Sequence, residues 1–61
     1  MKTWKVDAEL NMDANNRKTI IIRANTERKA RIFAEKQFIE EGAFWVSNMI
    51  IEEQQEYSGK Q

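Results

Sequence analysis

Residues 25–42 constrain the fold most, because they carry the one clear helical repeat of apolar residues in the chain. The repeat consists of Ala30, Phe33, Ala34 and Phe38, with Ile32 and Ile39 beside it. Asn25 or Thr26 offers a side-chain oxygen to the free amides of the first turn, and Gly42 suits a left-handed position after the last turn. One short helix cannot bury its apolar side alone, so the segments on either side must form a sheet against it.

Two strands are predicted before this helix. Residues 3–12 alternate between apolar and polar side chains, which indicates a strand with one buried face. Residues 13–16, Asp-Ala-Asn-Asn, favour a turn, and the absence of glycine favours a longer loop over a two-residue turn. Residues 17–24 contain three consecutive isoleucines and predict the second strand, in which the outer two face the helix and Ile21 faces away.

The third strand is predicted at residues 44–52, where both faces are apolar. We expect an α+β fold with a three-stranded antiparallel sheet (ββαβ, strand order 2-1-3) and the helix packed on one face. The alternative order places the third strand beside the second as a parallel neighbour. The domain is predicted to span residues 1–53. Residues 54–61 are predicted to be a flexible tail, from which Tyr57 could still dock.

The length of 61 residues predicts self-association, because so short a chain buries only about 60% of its unfolded surface. The chain contains no cysteine and no histidine, so disulfides are excluded and the commonest metal ligand is missing. No nucleophile, base and orienting partner stand at a characteristic spacing. The adjacent carboxylates at residues 40–41 and 52–53 point in different directions. We therefore expect no enzymatic activity, catalytic residue, metal, cofactor or small-molecule substrate.

The longest apolar runs have only three or four residues, as at 20–22 and 43–46. Neither a membrane-spanning helix nor a signal peptide is predicted from runs of this length. We therefore expect a cytoplasmic protein without a membrane partner.

A sheet covered by a helix on one side leaves its other face open, and the third strand holds more apolar residues than one helix can cover. The residues predicted at a protein interface on this open face are Ile21, Trp45, Met49 and Ile51; the alternative set from the third strand is Phe44, Val46 and Ile50. The first hypothesis is a small non-enzymatic protein-binding module, homodimeric through its sheet. The competing interpretation is a poorly covered sheet that the tail partly shields.

The charge is uneven although the formal net charge is zero. Residues 1–31 hold eight basic and four acidic residues, a net charge of +4, and residues 32–61 hold two basic and six acidic residues, a net charge of −4. The basic residues around the second strand and the helix start are Arg17, Lys18, Arg23, Arg28, Lys29 and Arg31. The alternative hypothesis is that they bind nucleic-acid phosphates. Against it stands a simpler interpretation, in which Arg28 and Lys29 pair with Glu27, Asp7 or Glu9 or extend into solvent.

Two segments, Lys2-Thr3-Trp4-Lys5-Val6 and Ile22-Arg23-Ala24-Asn25-Thr26-Glu27 running into Ala30, resemble short phage- and plasmid-borne proteins of the DpnD/PcfM-like type. The chain departs from this pattern in its Asn-rich turn and at residues 44–45. The resemblance implies the strand-strand-helix-strand plan and an origin in a mobile element. It also suggests that the module acts on a host protein, but it implies no functional residues.

Overall fold

The computed structural model describes residues 1–54, in which two strands, a helix and a third strand follow one another. Their bounds are Lys2–Leu10 for β1, Asp13–Ala24 for β2, Glu27–Glu40 for α1 and Val46–Gln54 for β3. The sheet has the order β2-β1-β3, both pairs are antiparallel, and α1 packs on one face. The predicted ββαβ fold with the long first strand in the centre is confirmed. Gln54, predicted to begin the tail, ends β3; residues 55–61, which include Tyr57, lie outside the described part of the chain.

The core lies between α1 and the sheet and follows from the alternation of β1 and β2. The buried side chains are Trp4, Val6, Ala8, Leu10, Ile20, Ile22, Ala24, Ala30, Ala34, Phe38 and Ala43. Trp4 also satisfies its indole N–H, because Nε1 donates a hydrogen bond to the carbonyl oxygen of Ala24 at 2.9 Å. The face of β1 and β2 predicted to meet the helix is therefore the buried one, and Ile21 points away from it as expected.

The two ends of α1 are capped as the sequence predicts. Thr26 is the N-cap, and its Oγ1 accepts a hydrogen bond from the backbone N–H of Lys29 at 3.2 Å. Past the C-cap, Gly42 has a φ angle of 111° and donates to the carbonyl of Ile39, while the N–H of Ala43 donates to that of Phe38. These two bonds form a Schellman motif, which satisfies carbonyls that the helix leaves free.

The apolar side of α1 is narrower than predicted. Ala30, Ala34 and Phe38 are buried, but Phe33 is 46% exposed, so its place in the buried stripe is wrong. Phe33 precedes Ala34 by one residue, which turns its side chain about 100° around the helix axis. Small alanines allow α1 to lie close to the sheet, and Phe33 on the flank of the helix is therefore only about half covered.

The hairpin between β1 and β2 turns earlier than predicted. Asn11 and Met12 have φ angles of 57° and 58°, and positive φ at both central residues is typical of a two-residue type I′ turn. The predicted longer loop at residues 13–16 is wrong. Those residues belong to β2. The register shifts there, since Glu9 pairs with Arg17 whereas the next residue, Leu10, pairs with Asp13.

A contact with a distant segment explains the position of this turn. The N–H of Asn11 donates to the carbonyl of Trp45 at 2.7 Å, and Asn11 Oδ1 accepts from the N–H of Phe44 at 2.8 Å. These bonds join the turn to the segment that leads into β3. They stabilise a left-handed backbone at Asn11, a residue type that tolerates it well.

A bulge interrupts the alternation of β3. Val6 pairs with Ile51 and Leu10 with Val46, so four steps along β1 match five steps along β3. The extra residue lies near Asn48, whose φ angle is 49°. Because one inserted residue reverses which face each side chain takes, Val46 joins Met49 and Ile51 on the helix side, where all three pack against the core.

Candidate functional site

The open face of the sheet is the side that α1 does not cover, and the register arranges its side chains in four rows. Written in the order β2, β1, β3, the rows are Arg23-Thr3-Gln54, Ile21-Lys5-Glu52, Thr19-Asp7-Ile50 and Arg17-Glu9-Ser47. The second and third of these, here called the central rows, hold the two large apolar side chains of the face. The open face is therefore a mixed surface in which isoleucines stand among charges.

Among residues 1–54, Ile21 and Ile50 are the large apolar residues of the open face, with exposed fractions of 59% and 55%. They lie on opposite edge strands in neighbouring rows, with β1 between them. A shallow depression beside Ile50 is lined by Lys5, Asp7 and Glu52. A partner on this face would thus contact two aliphatic side chains that flank a strip of charge.

One end of the open face is held by a polar network around Arg17. Its Nε donates to Asp7 Oδ1 at 3.1 Å, and its Nη1 lies 3.9 Å from Glu9 Oε1. Glu9 also accepts a hydrogen bond from Asn48 Nδ2 at 2.8 Å, and Arg17 Nη2 donates to the carbonyl of Asn48 at 3.2 Å. The network joins all three strands and supports the bulge in β3.

The structure separates the four residues predicted at the protein interface. Ile21 lies on the open face, whereas Met49 and Ile51 lie on the helix side and pack against the core. Their predicted place on the open face is therefore corrected, and the bulge is the reason. Trp45 precedes β3 and is 52% exposed, outside the four rows.

The alternative set is separated as well. Of its members, Ile50 lies on the open face, Val46 packs against the core, and Phe44 is exposed in the segment before β3. Neither strict alternation was therefore correct for β3. The sequence signal for a bulge was the asparagine at position 48, because Asn adopts the left-handed conformation found there more readily than other side chains that have a Cβ.

A second exposed apolar group lies at the end of the sheet. Met12, which strict alternation placed in the buried row, is 70% exposed in the hairpin turn, and Phe44 is 74% exposed. The hydrogen bonds of Asn11 to the segment of Phe44 and Trp45 bring the two backbones together.

The six predicted anion contacts fall into two groups. Arg17 is bound by Asp7 and Glu9, and Lys18 Nζ lies 2.7 Å from Glu41 Oε1 at the end of α1. The side chains of Arg23, Arg28, Lys29 and Arg31 form no ion pair with any residue of the described 1–54 segment. Within that segment, Arg28 and Lys29 are exposed and unpaired, which is the second of the two arrangements that the simpler interpretation allows.

The Lys18–Glu41 pair links the edge of the sheet to the C-terminus of the helix. The hydrogen bond from Lys18 lowers the pKa of the Glu41 carboxyl, and a second bond from Gln37 acts in the same direction. The pair also places a cation near the negative end of the helix dipole, where α1 has no basic residue of its own in its last turn.

The described residues 1–54 hold no cluster of three or more carboxylates positioned to bind a metal ion. Within the same segment, α1 is neither long nor apolar enough to cross a membrane. No protein-family model, curated protein or solved structure matches the chain.

Proposed function

We propose that this chain is a small non-enzymatic protein-binding module that forms a homodimer through the open face of its sheet. The observation that carries this proposal is the pair Ile21 and Ile50, which share the face that α1 leaves uncovered and are each more than half exposed. A second copy would cover both, because a symmetric interface presents the same patch twice. The small core of a 61-residue chain favours such an addition.

The area available predicts a weak, reversible dimer. Burying a whole isoleucine side chain stabilises by about 1.5–3 kcal/mol, so burying the exposed half of four isoleucines gives about 3–6 kcal/mol. Association itself costs about 4–15 kcal/mol in lost freedom of motion. The dimer therefore depends on its charged contacts as well, and we expect dissociation constants between micromolar and millimolar.

Sedimentation over a concentration range of about 10 µM to 1 mM tests the proposal, since it brackets these dissociation constants. Wild-type protein should shift from monomer to dimer across this range, and Ile21→Lys should remain monomeric because it places a charge in the contact. Ile32→Lys is the matched control, because Ile32 is 53% exposed on α1, away from the open face. A monomeric wild type at the highest concentration, or equal dimerisation of the Ile21 and Ile32 variants, would remove the proposal.

A host protein is the occupant suggested by the resemblance to phage and plasmid proteins. It would compete with the second copy for the same two isoleucines. Ile21→Lys should then weaken both forms of association, whereas Ile32→Lys should weaken neither.

Nucleic-acid binding is the second candidate function, favoured by the basic side chains that lack ion pairs within residues 1–54. The predicted anion contacts among them are Arg23, Arg28, Lys29 and Arg31. The expected result is weak binding of a labelled oligonucleotide that falls steeply between about 50 and 200 mM salt, as phosphate contacts require.

The combined change Arg28→Gln/Lys29→Gln should lower oligonucleotide affinity and reduce the dependence on salt. Lys36→Gln, on the same helix, serves as the control. No binding at about 50 mM salt would reject this candidate, because phosphate attraction is strongest at low ionic strength.

A further inference from the structure

We infer, on the premise of the homodimer proposed above, that its twofold axis lies between the two sheets. It crosses the strands at a right angle and passes between the rows of Lys5 and Asp7. Two sheets that pack face to face through the same surface must be related by an axis lying between them. In an aligned packing centred on the four rows, that axis runs close to the strand direction or across the strands. The two choices bring different side chains of the central rows together.

An axis along the strands places β1 over the partner's β1. Each residue of the central strand then meets its own copy, so Lys5 faces the partner's Lys5 and Asp7 faces the partner's Asp7. The edge strands exchange places, so Ile21 faces the partner's Glu52 and lies diagonally from the partner's Ile50. This arrangement joins the apolar side chains but stacks like charges at the centre of the contact, which opposes association.

An axis across the strands exchanges the two central rows instead. Lys5 then faces the partner's Asp7, and Asp7 faces the partner's Lys5. Ile21 meets the partner's Thr19 and lies next to the partner's Ile21, and Ile50 meets the partner's Glu52 and lies next to the partner's Ile50. The Lys5 and Asp7 side chains of the two protomers now form two opposite-charge pairs, so electrostatics selects this arrangement over the other.

Lys5 is available for such a pair. Its ammonium forms no ion pair within residues 1–54, although Asp7 and Glu52 line the same shallow depression. Asp7 already binds Arg17 through Oδ1, but a carboxylate has a second oxygen and further lone pairs to accept from a partner. The carboxylate of Asp7 would thus bind Arg17 of its own chain on one side and the partner's Lys5 on the other.

The outer rows bring one unfavourable contact. An axis across the strands moves Arg23 towards the partner's Arg17. The charge of Arg17 is already balanced by Asp7 and Glu9, and the partner's Glu9 would lie beside Arg23. At the rim of the contact water also screens the pair, so the central rows decide the orientation.

Exchanging the two central charges tests the orientation. Lys5→Glu alone should weaken the dimer at least about tenfold, because it sets like charges against each other at two places. The double variant Lys5→Glu/Asp7→Lys should recover most of the wild-type affinity, since each new charge again faces its opposite. Lys36→Glu makes the same charge change on α1 and should leave the dimer unchanged.

The outcomes separate the inference from its premise. A wild type that never dimerises removes both. A wild-type dimer with no loss for Lys5→Glu, or with a folded double variant that stays monomeric, overturns the orientation and leaves the homodimer standing. Circular dichroism checks the fold of each variant, because replacing Asp7 removes a partner of Arg17.

Nuclear Overhauser contacts between labelled and unlabelled wild-type protomers decide the matter without any substitution. The proposed axis predicts contacts from the Ile21 methyl groups to the partner's Thr19 and Ile21. Contacts from Ile21 to the partner's Ile50 would instead require the axis along the strands and would overturn the inference.

Discussion

Replacing Asn48 by valine should destabilise the domain, because Asn48 occupies the bulge with a φ angle of 49°. A left-handed backbone costs a residue with a Cβ roughly 1–2 kcal/mol, and valine, branched at Cβ, tolerates it poorly. The change also removes the hydrogen bond from Asn48 Nδ2 to Glu9 Oε1 at 2.8 Å, worth about 0.5–1.5 kcal/mol. Together the free energy of unfolding should fall by about 1.5–3.5 kcal/mol.

This loss is large for a domain of this size. At about 0.05–0.15 kcal/mol per residue, 61 residues should have a stability of about 3–9 kcal/mol. Urea unfolding followed by tryptophan fluorescence would measure it, since Trp4 is buried in the core. Asn48→Gly is the matched variant, because glycine accepts the left-handed backbone without strain and loses the side-chain hydrogen bond and some backbone entropy.

The expected order of stability is wild type, then Asn48→Gly, then Asn48→Val. Valine favours extended backbone, which this left-handed position does not offer, so its strand propensity does not relieve the strain. If the valine variant were as stable as the glycine variant, the left-handed bulge would not be a requirement of this fold. A change of register that moved Val46 to the open face would appear as altered amide chemical shifts along β3.

Three further changes test individual contacts. Trp4→Phe should lower the free energy of unfolding by about 1–3 kcal/mol in urea titrations, because the buried carbonyl of Ala24 loses its donor; an unchanged midpoint would contradict this. Asn11→Ala should cost about 1.5–3.5 kcal/mol in the same assay, since it removes a side-chain acceptor and sets alanine at positive φ, whereas Asn11→Asp should cost much less. Lys18→Met should raise the pKa of Glu41 towards its ordinary value in a carboxyl NMR titration. Because the pKa of Glu41 is lowered in the folded protein, the pair stabilises the fold above the ordinary pKa, and this contribution disappears as the pH falls through the lowered pKa. Equal titration of Glu41 in both proteins would contradict the assignment.

The faces of β1 and β2 could be predicted from the sequence because each strand obeys a period of two over the part that pairs regularly. Trp4 and Ile21 are on the sides that alternation assigns to them. The strand order also followed from local features, since the longest alternating strand needs a neighbour on both edges. Capping residues fixed both ends of α1, because Thr26 and Gly42 act through bonds within a few residues.

The remaining features depend on contacts between distant segments. Met12 carries no signal for positive φ, and the turn is held by bonds from Asn11 to a segment more than thirty residues away. The exposure of Phe33 depends on how closely α1 approaches the sheet, which the helical repeat does not specify. The bulge at Asn48 is supported by Glu9 and Arg17 on the other two strands.

The bulge decides what kind of surface this protein offers. Strict alternation would have left a row of large apolar side chains on one side of β3, a surface closer in character to the apolar interfaces of obligate dimers. With the bulge, Val46, Met49 and Ile51 extend the core of the single chain instead, and the part of the open face formed by residues 1–54 keeps two isoleucines among its charges. A monomer built in this way already buries its core beneath α1. The proposed association through the open face would then be reversible, and its selectivity would come from the placement of charge, so the proposal gives Lys5 and Asp7 more weight than the apolar area beside them.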